Sequence, residues 1–442
     1  MPHPWPRGCY VSCSPDRCVV TVSPRGARVK VAIVGGGPAG LYFSILMKLR
    51  DPSHDITVHE RGPAGSTYGW GVTYWADLLD TLHRHDPVSA RAIGENSVRW
   101  SDGKAYVRDR TTVHHGDQGH GIGRHTLLAL LTERAESLGV RVRFRDPVTD
   151  APERLRADLV VAGDGVNSAL RARHTGHFGT DITAGRNTYV WLGTTKVFDA
   201  FTFAFVETAH GWIWCYGYRY AQDRSTCVVE CSPDTWRGLG LHEASHADCL
   251  ALLQRLFAEP LDGHPLIGRP RADGRARWQT FRTVTNRTWY RDNLVLIGDA
   301  AHTTHYSIGA GTTLALEDAI ALTGALHTAP YTRAALARYE RERRTALLAP
   351  QSAARYSARW YEDLPRYINL APPRMFALLG QRHSPLLPYV PPQLYYRIDR
   401  AAERLETLRR LKRWLGPRVA RTVGRGVERG FRKDGAHRTL SL

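Results

Sequence analysis

The chain has 442 residues, 43% hydrophobic and 23% charged, which is the size and composition of a globular protein with two or three buried cores. No apolar run is long enough to span a bilayer, and seven cysteines without a Cys-x-x-Cys pair support neither a disulfide framework nor a zinc site. The net charge of +18 is carried almost entirely by arginine, and the cysteine usage is that of a cytoplasmic protein with reduced thiols.

Residues 1–28 are rich in proline and show no helical or strand periodicity and no apolar core of a signal peptide. They are expected to be a misassigned upstream segment, or else a disordered leader, with the working chain starting at Val29. The run Val29–Val34 then reads as a buried strand. It enters a turn with Gly35, Gly37 and Gly40 in the spacing G-x-G-x-x-G, and Pro38 and Ala39 open an apolar helix. Such a turn lets backbone approach a pyrophosphate at a helix N-terminus. A second strand, "DITVHE", ends in Glu60, 20 residues after Gly40, where a ribose-binding carboxylate belongs, with Arg61 beside it. This fingerprint occurs once, so one dinucleotide has a dedicated site, and FAD and NAD(P)H both satisfy it.

Further along, "GIGRHTLLALL" places Arg124 at a helix start. "ADLVVAGDGVNSALR" (157–171) runs from a strand into a turn with Asp164 and Gly165. The stretch 186–231 alternates as strands, and Trp191, Phe203, Trp214 and Tyr216 on them either line an aromatic slot or fill a sheet core. "NLVLIGDAAH" (293–302) is another buried strand, ending at Gly298-Asp299. A small-residue turn with Gly309, Gly311 and Thr312 then opens a helix. His302 and His305 sit in this turn without a third ligand at metal spacing, so no metal is expected.

The fingerprint, the Asp164-Gly165 turn and the "GDAAH" turn, in this order from Val29 to about Arg344, resemble the three signature motifs of single-component FAD-dependent aromatic hydroxylases. The resemblance implies an α/β fold in which a Rossmann-like FAD-binding domain of the glutathione-reductase type is interleaved with a β-sheet substrate domain. The FAD domain is expected at 29–70, 111–180 and 285–330, the substrate domain at 71–110 and 181–284, and a helical segment covering the flavin domain from 331. By the same resemblance Asp299 holds the ribityl chain, Gly309, Gly311 and Thr312 face the pyrimidine side of the flavin, and Arg124 lies beside it. Asp164 and Gly165 serve both FAD and NADH or NADPH. The implied reaction is reduction of FAD by NAD(P)H, addition of O2 at flavin C4a and hydroxylation of an aromatic ring by the hydroperoxide.

The loop departs from the usual family pattern, with Tyr306 for proline and Thr313 for asparagine. Together with "GWGV" (69–72), "RNTYVWLGTTKVFDAFTF" (186–203), "STCVVE" (225–230) and "HYSIGAGT" (305–312), it resembles the salicylyl-CoA 5-hydroxylases and aminobenzoyl-CoA oxygenases. The violacein-pathway hydroxylases are a more distant likeness. By analogy His305 and Tyr306 fall near flavin C4a, where His305 either relays a substrate proton or only shapes the pocket; His302 is structural. An aryl-CoA thioester is the expected substrate and an indole or other free aromatic intermediate the alternative. Flavin halogenases are excluded because Cys215-Tyr216 replace the Ile-Pro that follows their Trp-x-Trp and no lysine lies between Lys48 and Lys104. The basic stretch 397–442 is expected to form a docked amphipathic helix, since no aromatic platform or recognition motif makes it a specific nucleic-acid binder.

Overall fold

Three buried strands, Lys30–Val34, Leu159–Ala162 and Leu294–Leu296, lie side by side and parallel at the centre of one sheet. The protein is seen in a computed structural model, which describes residues 9–14, 17–22, 28–67, 69–148, 155–328 and 333–404. This first sheet has six strands in the order Tyr290–Arg291, Leu294–Leu296, Leu159–Ala162, Lys30–Val34, Asp55–Glu60, Arg141–Phe144, and only the Tyr290–Arg291 edge is antiparallel. The runs VAIV and LVVA are apolar throughout, as expected of central strands of a parallel sheet that is buried on both faces. Helices Pro38–Arg50, Arg124–Ser137 and Gly311–Thr328 bury Tyr42, Phe43, Leu131, Leu316 and Leu322 in one core with Ile33, Val58, Val161 and Val295. The turns at Gly35, Gly163 and Gly298 all leave the carboxyl ends of adjacent parallel strands, the position where open α/β sheets bind ligands.

The second sheet has nine strands. Its main path is Leu266–Ile267, Asp181–Thr194, Ser225–Cys231, Gly211–Arg219, Phe201–Thr208, Val98–Val107, Arg110–Gly123, Gly71–Tyr74, with Gln279–Thr285 also paired to Asp181–Thr194. Side chains alternate between its faces. Val190, Leu192, Ile213 and Val229 point into a core with Cys249, Leu253 and Phe257, supplied by helix His246–Leu256 and its end. The other face is aromatic: Phe203, Phe205, Trp214, Tyr216 and Tyr218.

That aromatic face changes the expected organisation in two places. Residues 111–123, expected with the FAD domain, belong to the strand Arg110–Gly123, which pairs with Val98–Val107 and Gly71–Tyr74 in the second sheet. The C-terminal helices, expected to cover the flavin domain, do so only in part. In Arg333–Glu362 the first half buries Ala335, Leu336, Tyr339 and Leu347 in the first core. From Trp360 and Tyr361 onward, through Tyr367, Met375, Leu378 and Leu387, the segment packs on the aromatic face. A sheet face this apolar requires a cover, and the last helices supply it. Leu387 is fully buried within "RHSPLLPYVPPQ" (382–393), so this stretch is a packed, turn-rich piece of that cover.

Cys9–Ser14 and Arg17–Val22 form an antiparallel two-stranded ribbon where the sequence shows no strand periodicity. The helix expected along the basic tail beyond residue 404 lies outside the described residues. Among the described residues no helix is long and apolar enough to cross a membrane.

Candidate active site

A cavity of ≈ 1910 Å³ runs from the fingerprint turn across the carboxyl ends of the first sheet and under the aromatic face of the second. Typical ligand pockets are roughly 300–1,000 Å³, so this one has room for a large cofactor and a substrate together. Gly35, Gly37, Pro38, Ala39, Glu60, Arg61, Arg124, Asp164, Gly165, Asp299, Gly309, Gly311 and Thr312, thirteen of the fourteen expected cofactor residues, line it. Gly40 works from behind, since a Cβ there would lie 2.3 Å from the Gly35 carbonyl oxygen. Gly35 itself has φ +109°, and a Cβ on it would sit 2.4 Å from the carbonyl oxygen of Gly163. The first two turns therefore interlock through glycine. Helix Pro38–Arg50 has no side-chain cap at Gly37, which leaves its N-terminal N–H groups free to meet an anion.

Glu60 orders this end. Its Oε2 accepts from the Gly36 N–H at 2.8 Å and its Oε1 from the Gly62 N–H at 2.7 Å. Asp164 Oδ2 accepts from the Ala169 N–H at 2.8 Å, whereas its Oδ1 is buried without a hydrogen-bond partner. Desolvation by the cavity walls raises the pKa of Asp164, and it also raises that of Asp299 against the pull of Arg124 and His302. Arg124 is pushed down by its own burial, opposed by the charge of Asp299. Its Nε, like Asp164 Oδ1, is buried without a partner.

The Asp299 turn is braced by residues that motif reading leaves out. Asp318, fully buried on helix Gly311–Thr328, accepts at Oδ2 from the Gly298 N–H and pairs there with His302 Nε2, both at 2.8 Å. Its Oδ1 accepts from Arg343 Nε at 2.7 Å. Burial works to raise the pKa of Asp318, but His302 and Arg343 outweigh it and hold the carboxyl below its ordinary value. His302 also stacks on Trp289 at 5.1 Å, a packing contact in keeping with the structural role expected of it. Arg171 joins two turns by donating to the carbonyls of Ala300 at 3.0 Å and Val166.

On the substrate side Tyr189, Trp191, Phe201, Phe203, Tyr216, Tyr218 and Tyr306 line the cavity, so three of the four expected substrate residues reach it. Trp214 does not. It shares a strand face with Tyr216 but lies further along, where the C-terminal segment roofs it and Tyr361 stacks on it at 5.8 Å and 11°. The same segment contributes Phe376, Gln381 and Arg382 to the cavity wall. Arg382 donates to the Ser307 carbonyl at 3.0 Å and lies 5.8 Å over the Phe203 ring.

The two expected catalytic residues part company. Tyr306 lines the cavity, and its hydroxyl donates to Glu230 Oε2 at 2.7 Å. His305 is not among the lining residues; its Nδ1 bonds Ser307 Oγ at 2.8 Å and its ring packs on Phe281 at 4.9 Å. Loss of water around the imidazole pushes its pKa down to about 3. With its ring turned away from the cavity lining, His305 is not placed to take a substrate proton directly, and of the two roles expected for it the geometry favours shaping the pocket. Among the described residues no group of three metal-ligating side chains comes together.

The residues present fit FAD. Interlocked glycines, an uncapped helix N-terminus and a ribose-side carboxylate sit at one end, and two orphaned polar atoms, on Asp164 and Arg124, lie along the way. Residues 114–350, more than half of the chain, match the family model described as an FAD binding domain. A salicyloyl-CoA 5-hydroxylase from Streptomyces sp is 37% identical over 350 residues, 77% of this chain and 67% of that protein. A 3-hydroxy-4-methyl-anthranilyl-(aryl-carrier protein) 5-monooxygenase from Streptosporangium sibiricum is 35% identical over 337 residues, 76% of this chain and 90% of that protein. The solved structure of 2-methyl-3-hydroxypyridine-5-carboxylic acid oxygenase superposes with a TM-score of 0.61 at 18% identity, covering 78% of this chain and 94% of that one, a likeness of fold. Cavity, motifs and relatives agree: the chain belongs to the FAD-binding-domain family and is an FAD-dependent aromatic monooxygenase.

Proposed function

We propose that the enzyme hydroxylates the ring of an aryl thioester, of the salicylyl-CoA or 2-aminobenzoyl-CoA kind, at the expense of NADH or NADPH and O2. The observation that carries this reading is one continuous cavity joining a dinucleotide-binding turn to an aromatic slot. Bound FAD supplies the activation of oxygen; the chain supplies binding, orientation and exclusion of water. Glu60 and the fingerprint turn would hold the adenosine end, Asp299 and the Gly309–Thr312 turn the flavin end. Phe201, Phe203, Tyr216 and Tyr306 would sandwich the substrate ring. Arg269, Arg277 and Arg282 also line the cavity and are suited to the phosphates of a CoA tail that leaves the slot.

The first sheet with its helices serves as the FAD domain and the second sheet as the substrate domain. A cytoplasmic setting is part of this reading, in keeping with free, buried thiols at Cys215, Cys227, Cys231 and Cys249. A carrier-protein-bound aryl group is the second reading, favoured by the anthranilyl-carrier-protein relative. The test is NAD(P)H oxidation by FAD-loaded protein, with product mass recorded. Salicylyl-CoA should stimulate oxidation and gain one oxygen, and free salicylate should not. Equal stimulation by free salicylate, or stimulation only by indolic compounds, would overturn the thioester assignment.

A further inference from the structure

We propose that Glu230 is the proton acceptor of the aromatic pocket, acting as a positioning residue through Tyr306. The inference rests on the reading above, for a substrate ring that carries a hydroxyl group. Glu230 lies in the strand Ser225–Cys231, is 1% exposed, and does not line the cavity. Each of its carboxylate oxygens has one donor: Asn187 Nδ2 to Oε1 at 2.7 Å, and the Tyr306 hydroxyl to Oε2 at 2.7 Å. Asn187 comes from the neighbouring strand, in which Tyr189 is the register partner of Glu230.

Tyr306 thus spends its single hydrogen on Glu230. Its oxygen has only acceptor capacity left, on a residue that lines the cavity and packs against Tyr189 at 4.4 Å. The other groups that bear on Glu230 are Tyr189 opposite it, Tyr216 and Trp214 from Gly211–Arg219, Cys231 beside it, and Tyr361 and Glu362 from the long helix. None of these is a cation, and Arg186, which pairs with Glu362, is spent on Glu362 and Asp363. A carboxylate buried without a cation is costly, and a glutamine could bond both neighbours, accepting from the Tyr306 hydroxyl and donating to a turned Asn187 amide. What an acid adds at this place is the ability to take a proton.

The step is a transfer in two hops. The ring hydroxyl proton passes to Tyr306 Oη while the Tyr306 proton passes to Glu230 Oε2. Each acceptor gains the O–H bond that its donor loses, the electron pair left on the substrate feeds the ring for attack on oxygen, and no electrons are exchanged with the protein. Tyr306 ends neutral and Glu230 ends as the neutral acid. Burial pushes the pKa of Glu230 up to about 7, partly offset by the bonds from Asn187 and Tyr306. The carboxylate is therefore ready to accept above that pH and already protonated below it.

The test uses FAD-loaded wild type, Glu230→Gln, Glu230→Asp and Tyr306→Phe. The turnover of salicylyl-CoA by the wild type should fall on the acid side with an apparent pKa near 7. In Glu230→Gln and Tyr306→Phe this limb should vanish and kcat drop by roughly 100-fold, while KM stays within about twofold. Glu230→Asp should recover part of the rate and restore a limb. Retention of the wild-type limb with a rate within about threefold in Glu230→Gln would overturn the proposal. Tyr306→Phe keeps the carboxyl in place and carries the same test if Glu230→Gln fails to fold.

A substrate-free measurement separates this inference from the functional reading. The infrared difference spectrum of wild type minus Glu230→Gln should show a carboxyl that titrates between about pH 5 and 8. A carboxyl protonated or ionised across the whole window overturns the Glu230 assignment whatever the substrate. A carboxyl that titrates in an enzyme ignoring salicylyl-CoA supports Glu230 and leaves the thioester reading as the one that failed.

Discussion

The two ends of the cavity are built by opposite means. At the end proposed for the flavin, turns at the tips of three adjacent parallel strands present backbone and short polar side chains, and each turn lies within a few residues of sequence. At the end proposed for the substrate, the wall is a sheet face of Phe203, Tyr216 and Tyr218 closed by a segment more than a hundred residues downstream, with Phe376 and Arg382 in it. The first end is fixed by local chain geometry, the second by packing between distant elements. A lesion at the first should therefore release the cofactor, and one at the second should change stability or substrate use while the cofactor stays.

The largest effect is expected from Gly35→Ala. A non-glycine residue in a strained backbone region costs roughly 1–3 kcal/mol, and at φ +109° the new Cβ would also overlap the Gly163 carbonyl. The turn and its neighbour must separate, and the protein should purify without flavin, as read from its visible absorbance. Full flavin content in this variant would remove the fingerprint turn from the binding site.

Next comes Asp318→Ala, which leaves Arg343 with only the part-exposed Glu317 as a carboxylate partner, and His302 and the Gly298 N–H without their buried acceptor. Breaking a buried pair in this way costs about 3–5 kcal/mol. Urea unfolding should show the loss, and flavin affinity should fall with it because Gly298 carries Asp299. Unchanged affinity would mean that the Asp299 turn holds its shape without the brace.

This contrast also explains how much was legible in the sequence. The Gly35, Asp164 and Asp299 turns could be read because their chemistry is contained in contiguous strand–turn–helix stretches. Asp318 and Arg343 escaped because a charged residue in a helix looks solvent-facing until a partner 25 positions away is known to be buried against it. Glu230 escaped for the same reason: in "STCVVEC" it reads as a strand-end charge, and its partner Tyr306 is 76 residues distant. The strand Arg110–Gly123 went to the wrong sheet because pairing is non-local, and its composition fits either place. The two roles open for His305 could not be separated because sequence gives the residue type but not which way a turn points it.

Trp191 and Trp214 sharpen the substrate end, since both were expected in the slot and only Trp191 lines it. Trp214→Ala should cost about 3–5 kcal/mol of stability, as for other buried aromatic truncations, with KM little changed in the folded enzyme. Trp191→Ala, at a half-buried position, should cost less stability but raise KM and uncouple NAD(P)H oxidation from hydroxylation. Reversal of that pattern would place the substrate ring further along the same face, beside Trp214 and Tyr361.

The smallest effect separates the slot from its mouth. Arg269 and Arg277 line the cavity, and Arg269 is steadied by donating to the Thr67 carbonyl at 3.0 Å. Exposed charge contacts contribute little, so Arg269→Ala or Arg277→Ala should each raise KM for salicylyl-CoA only roughly two- to fivefold. The increase should shrink as salt screens the phosphates. It should also be absent for a short thioester that keeps the aryl group but lacks the nucleotide. An equal rise for both substrates would assign these arginines to the ring or to the cofactor, and the CoA tail would then leave the slot by another side of the cavity.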